Sequence, residues 1–233
     1  MKTVVHKASS RGGGDHGWLK TAHSFSFADW YDAERMGFGA LRVLNDDVVA
    51  AGKGFGMHPH QDFEIITIVM KGAVTHEDSI GTHATVEAGE VQVMSAGTGV
   101  VHSERNDGTE DLELFQIWIA PNARGVVPRY DQKKFAAEDR ANKLQLLVSG
   151  TGENGSLMIH QDARISRVDL SEGAGIEYAL SEGMGVYVFV IEGDVSAAGV
   201  ELARRDAVGI ADTAAFTMKA KTPASVVCIE VPL

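Results

Sequence analysis

Gly52-Lys53-Gly54-Phe55-Gly56-Met57-His58-Pro59-His60-Gln61-Asp62-Phe63-Glu64 is the stretch from which the rest of the chain can be read. Residues i and i+2 of an extended strand point to one face, so His58 and His60 can aim two imidazoles at one point. Pro59 between them has no backbone donor and stiffens the strand. His102-Ser103-Glu104 repeats the spacing, with a carboxylate in place of the second imidazole. On neighbouring strands the two pairs would supply three neutral nitrogens and one anionic oxygen. That donor set suits a first-row divalent metal and leaves positions open for water, substrate or dioxygen. Two histidines at this spacing also suit a solvated strand face.

Outward from this segment, the chain reads as short apolar strands cut by Gly, Asp and Asn. Candidate strands are Gly39 to Leu44, Glu64 to Met70, Glu90 to Met94, Leu112 to Ala120, Leu144 to Ser149, Val186 to Ile191, Ala207 to Ile210 and Ser225 to Val231. Their Val, Ile and Phe content and their spacing predict an all-β barrel or sandwich. The one helical signal is Gln132 to Asn142. Ile68-Val69-Met70-Lys71-Gly72-Ala73-Val74 is echoed by Phe189-Val190-Ile191-Glu192-Gly193-Asp194-Val195: strand, charged-Gly turn, strand. The echo predicts two barrels of similar plan, residues 1–135 and 136–233. Of nine histidines only His160 lies beyond residue 102, so the metal site is expected in the first half alone.

The remaining candidates have blander readings. His76 and His83 flank the turn Glu77 to Thr82 and read as surface residues; His16 and His23 read as structural. Gly97-Thr98-Gly99 lacks the Lys and the helix of a phosphate loop. Arg11-Gly12-Gly13-Gly14 reads as a flexible stretch, and Cys228, in an apolar run, as a buried strand residue. A net charge of -11 argues against direct contact with nucleic acid or anionic membrane. No run approaches the ~20 apolar residues of a membrane span. The N-terminus has no signal-peptide core, and a cytoplasmic protein is expected.

The ligand segment also carries a resemblance. Gly52, His58, His60, Glu64 and Gly72 resemble the first motif of the cupins, with the last spacer one residue longer than usual; Gly89, Gly97, His102 and Asn106 resemble the second. In the second motif Ser95 stands where Pro is usual, and the gap from Gly97 to His102 is longer by two. The likeness sharpens to the pirins, which are bicupins. It rests on Asp15-His16-Gly17-Trp18-Leu19, His23-Ser24-Phe25-Ser26-Phe27-Ala28, Gly37-Phe38 and Leu41-Arg42-Val43-Leu44-Asn45-Asp46-Asp47. Gly56-Met57-His58-Pro59-His60, Met94-Ser95-Ala96-Gly97-Thr98-Gly99 and His102-Ser103-Glu104 complete it. It is strong over residues 6 to 130 and broad beyond. It implies two jelly-roll cupin barrels packed together in one chain. It also implies Glu104 as the fourth ligand, where ordinary cupins would use Glu64.

Two functions follow from the resemblance. Bacterial-type pirins resemble quercetin 2,3-dioxygenases, which open the central ring of a flavonol with dioxygen and release carbon monoxide. The site would then hold one divalent ion per chain, iron the leading candidate, with nickel, copper, cobalt, manganese and zinc as alternatives. Glu104 would be both ligand and general base. The partners would be a small planar phenolic substrate and dioxygen, with Phe55, Met57 and Phe63 as candidate apolar walls. The second function is a non-enzymatic, metal- or redox-sensing regulator that binds a transcription factor or a metabolic enzyme.

Overall fold

The computed structural model describes residues 1–233. The chain is all-β: twenty-two strands are joined by turns, and the only helical pieces are three short 3-10 turns. The strands form two barrels of one plan, each a seven-stranded sheet faced by a four-stranded sheet. In the first, Glu64–Lys71 lies between Glu90–Ser95 and Leu112–Ile119. In the second, Met184–Glu192 lies between Ala207–Ala211 and Ala224–Pro232. These are the segments of the internal echo. Each turns through a glycine at positive φ, Gly72 at 76° and Gly193 at 82°, a conformation that suits a residue without Cβ.

The two seven-stranded sheets pack face to face. Ile66, Ile68, Phe115 and Ile117 of the first meet Tyr187, Phe189, Val227 and Ile229 of the second in one continuous 24-residue cluster. At its edge Arg205 of the second half donates to Asp46 of the first at 2.8 Å. One strand crosses the divide expected near residue 135. Lys2–His6 pairs with Ala207–Ala211, in the position that Arg129–Lys134 takes beside Glu90–Ser95 in the first barrel. His6 ends that strand, buried, with Nδ1 at 2.9 Å from the Tyr187 hydroxyl. Burial lowers its pKa to about 4, so the ring is neutral.

All eight candidate strands are present, most with slightly shifted ends. The expected helix at Gln132 to Asn142 is absent. Its first residues finish the edge strand Arg129–Lys134, Phe135 turns into the inter-barrel core, and only Ala137–Arg140 forms a 3-10 turn. The ladder to Glu90–Ser95 outcompetes so short a helix. The Gly-rich stretch is likewise not loose: Gly12–Asp15 pairs with Leu19–His23. Cys228 is fully buried in the second barrel, as expected for an inert strand residue, and burial raises its thiol pKa. No helix is long and apolar enough to cross a membrane.

Tyr187→Phe removes the partner of a buried imidazole nitrogen. It is expected to cost about 1–3 kcal/mol and to lower Tm by several degrees, measured by calorimetry. An unchanged Tm would mean that the docked first strand does not need this hydrogen bond.

Candidate metal centre

The four-stranded sheet of the first barrel carries the histidines. Gly54–His60 and Val100–Arg105 are antiparallel neighbours, with His58 directly opposite His102. The pairing slips by a β-bulge between His102 and Glu104, a device that re-aims side chains. The rings of His58, His60 and His102 gather with centroids 4.4–4.9 Å apart. Each offers a nitrogen, and these nitrogens lie within 4.8 Å of one another. Glu104 and His102, with His76, form an overlapping trio at the same limit.

The ring nitrogens are prepared to bind a cation. His58 Nδ1 lies 2.8 Å from the Gly56 carbonyl, which can only accept, so the proton sits on Nδ1 and the lone pair on Nε2. His102 is set through a relay. Asp78 accepts from His76 Nε2 at 3.0 Å, which leaves His76 Nδ1 as an acceptor 3.5 Å from His102 Nδ1. His102 Nε2 then carries the lone pair. Burial alone would raise the Asp78 carboxyl, but hydrogen bonds from His76 and Thr82 outweigh it and hold the pKa below the ordinary value. Burial, then the charges of neighbouring histidines, lowers His60 to about 4 and His102 to about 3. Both rings are therefore neutral near pH 7, the form a metal needs. Their Nε2 atoms are buried and have no protein partner. A divalent ion would satisfy both, so the donor set fits one.

Glu104 is 3% exposed, and a buried carboxylate needs partners. It finds them on the opposing sheet. Thr67 Oγ1 donates to Oε1 at 3.2 Å, Gln92 Nε2 donates to the same oxygen, and Gln116 Nε2 donates to Oε2 at 2.8 Å. These three residues belong to one row. His23, Asn45, Gln116, Thr67, Gln92 and Gln132 stand directly opposite one another across six strands. Below the row lie Val69, Leu112 and Leu114, and toward the rim Ile65, Met94 and Val100. The amides are oriented in turn: Trp118 Nε1 donates to Gln116 Oε1 at 3.1 Å, and the Tyr130 hydroxyl lies 3.1 Å from Gln92 Oε1.

Glu64 lies elsewhere. It is an odd number of residues from Thr67 on the same strand, so it faces the opposite side of the sheet. There its Oε2 accepts from Ser95 Oγ at 2.7 Å, and burial raises its pKa.

The cluster opens on a cavity of about 450 Å³. Trp18 and Phe55, edge to face at 5.3 Å, form one wall, and Phe27 and Trp118, at 5.4 Å, form another. Of the walls expected from sequence, Phe55 lines it. Phe63 lines an adjoining apolar pocket, and Met57 is 56% exposed and lines neither. Asn45 and Asp47 complete the lining beside Gln116. Burial pushes the Asp47 carboxyl up to about 7; a hydrogen bond from Thr21 opposes it, and the charges of Asp46 and Glu104 add to it.

His83 and His16 are exposed, as expected for His83, and His23 is buried in a strand. The reading of His76 as a surface residue is corrected: it is fully buried against His102 and Tyr130. The turn it was placed beside begins only after Asp78, so His76 lies inside a strand opposite Glu104. Its partner two residues on, Asp78, was the available signal, a His-x-carboxylate pair like His102 and Glu104. Thr67, Gln92 and Gln116 gave no such signal, because sequence does not reveal cross-strand register.

The sequence matches the pirin family over residues 4–119 and the quercetinase C-terminal cupin domain over residues 146–231. It is 44% identical over 229 residues to an Escherichia coli K12 protein named quercetin 2,3-dioxygenase, covering 98% of each chain. It is 44% identical over 220 residues to a pirin-like protein of Caulobacter vibrioides, covering 94% of this chain and 95% of that one. A bacterial pirin of E. coli, solved in complex with nickel(II), superposes with a TM-score of 0.94 at 43% identity, over 99% of each chain. The expected pair of cupin barrels is therefore the observed fold.

His76→Phe keeps an aromatic ring but breaks the relay that fixes His102. Metal affinity, measured by chelator competition, is expected to fall about 10- to 100-fold; an unchanged affinity would show that His102 needs no such support. Asp47 gives a pH test. A carboxyl raised on folding contributes stability below its unfolded pKa that is lost as pH rises through about 7. Asp47→Asn lacks that loss, so its Tm relative to wild type should improve between pH 5 and 8. A constant difference would contradict the raised pKa.

Proposed function

Because the chain belongs to the pirin family, we propose that it is a metal-dependent dioxygenase of the quercetin 2,3-dioxygenase type, acting on a small planar phenol of the flavonol class with dioxygen. The observation that carries this reading is the meeting of three imidazoles and one anchored carboxylate at an aromatic-walled cavity. His58, His60 and His102 hold one divalent first-row ion per chain, with Glu104 as fourth ligand. Iron is our first candidate; that a related E. coli pirin was solved with nickel(II) makes nickel the second. The buried orphan nitrogens of His60 and His102 support the ligand set.

When bound, the metal supplies the positive charge that makes a flavonol hydroxyl acidic. Glu104 takes that proton. Thr67, Gln92 and Gln116 keep its carboxylate in place while its charge changes. Trp18, Phe27, Phe55 and Trp118 sandwich the flat rings and exclude water, which strengthens every charge interaction inside. The overall reaction consumes the flavonol and dioxygen and yields the ring-opened ester and carbon monoxide. We take residues 1–135 as the catalytic domain, its first strand Lys2–His6 lent to the second barrel, and 136–233 as a cupin domain without a metal. In the second barrel the strands that match the ligand strands meet through Tyr178, Phe216 and Met218. We place the protein in the cytoplasm, where a lone buried thiol is unremarkable.

Metal-loaded protein is expected to consume quercetin, followed as loss of the flavonol absorbance. Glu104→Gln should bind metal more weakly and lower the rate by roughly 10²-fold or more. Glu64→Gln should do less to both. Loss of metal in Glu64→Gln with retention in Glu104→Gln would overturn this ligand set.

A further inference from the structure

The cavity has a polar side that the metal chemistry does not use. Asn45 and Asp47 sit two apart on Leu41–Val49, so both side chains face the cavity, along with His58, His60 and Glu104. Both are buried, at 3% and 5% exposure. Asn45 Oδ1 has no hydrogen-bond partner. Asp47 Oδ1 accepts from the Thr21 hydroxyl at 2.5 Å, and that is its one hydrogen bond. A buried acceptor without a donor is costly. One such acceptor, Asn45 Oδ1, beside a carboxyl that has a single donor, marks a place in the aromatic-walled slot where something else is meant to donate.

We infer that Asn45 and Asp47 form a hydroxyl-reading wall that fixes the orientation of a polyhydroxylated aromatic substrate while its acidic oxygen meets the histidine cluster. Asn45 presents an amide oxygen, and Asp47 presents a second acceptor once its carboxyl is ionised, above about pH 7. The wall therefore selects ligands that carry further O–H donors away from the reacting hydroxyl, and it disfavours methyl ethers and carboxylates at those positions. A site built to pair a hydroxyl discriminates strongly against analogues that lack it, because its own buried acceptors are then left unpaired. The inference rests on the flavonol reading above and adds the specificity determinants of that same site.

The test is a binding titration of the metal-loaded protein under anaerobic conditions, so that no turnover intervenes. The probes are quercetin, which carries four hydroxyls beyond the reacting one, and 3-hydroxyflavone, which carries none. Wild type is expected to prefer quercetin by roughly 10- to 100-fold. In Asp47→Leu and Asn45→Leu, which each remove an acceptor, this ratio should fall toward one. Wild type binding both probes equally would overturn the wall while leaving the flavonol reading intact. A ratio unchanged in both variants would also overturn it, because structural damage would weaken both ligands alike. Wild type binding neither probe would instead overturn the flavonol reading, and the inference with it.

Discussion

A carboxylate buried in a barrel is expensive unless its oxygens are paired, and Glu104 is paired three times over by the sheet across from it. That constraint organises the first barrel. Thr67, Gln92 and Gln116 occupy interior positions where Val or Ile would pack better, and they do so in one register row. The row is tolerable because each amide is fixed at its far end, Gln116 by Trp118 and Gln92 by Tyr130. A half-satisfied network here would cost more than an apolar core. The carboxylate is thus oriented before any ligand arrives, as a metal ligand or a proton acceptor must be.

The histidine side shows the same logic. His58 and His102 each have one nitrogen tied to a protein group, so the other is directed into the cluster. The buried Nε2 atoms of His60 and His102 have no protein partner, a cost of the kind found at sites built to bind a ligand. The second barrel has the same sheet order but fills its interior with Val168, Tyr178, Val188, Phe216 and Met218. It contributes packing instead. Phe189, Tyr187 and Ile229 back the outer face of the sheet whose inner face holds Glu104.

Much of this was legible in the sequence, for definite physical reasons. Strands announce themselves through Val, Ile and Phe runs, and period two alone places His58 with His60 and His102 near Glu104. Period two also separates Glu64 from Thr67 once Glu64 to Met70 is taken as a strand. What stayed hidden depends on register and on long-range pairing. No local pattern sets Gln92 opposite Thr67, or sends Lys2–His6 into the second barrel. His76 is hidden from a sequence reading because its strand runs on to Asp78 before turning, so the pair that follows the same His-x-carboxylate rule resembles the edge of a surface turn.

The central claim is that Glu104, held by that polar row, completes a metal centre with three histidines. Crystals of the metal-loaded protein, measured at the absorption edge of the bound metal, test it most directly. The account predicts one anomalous peak per chain, bonded to His58, His60 and His102 nitrogens and to a Glu104 oxygen at about 2.0–2.2 Å. A peak that engages Glu64, or that takes His76 as a ligand in place of His58, would contradict it.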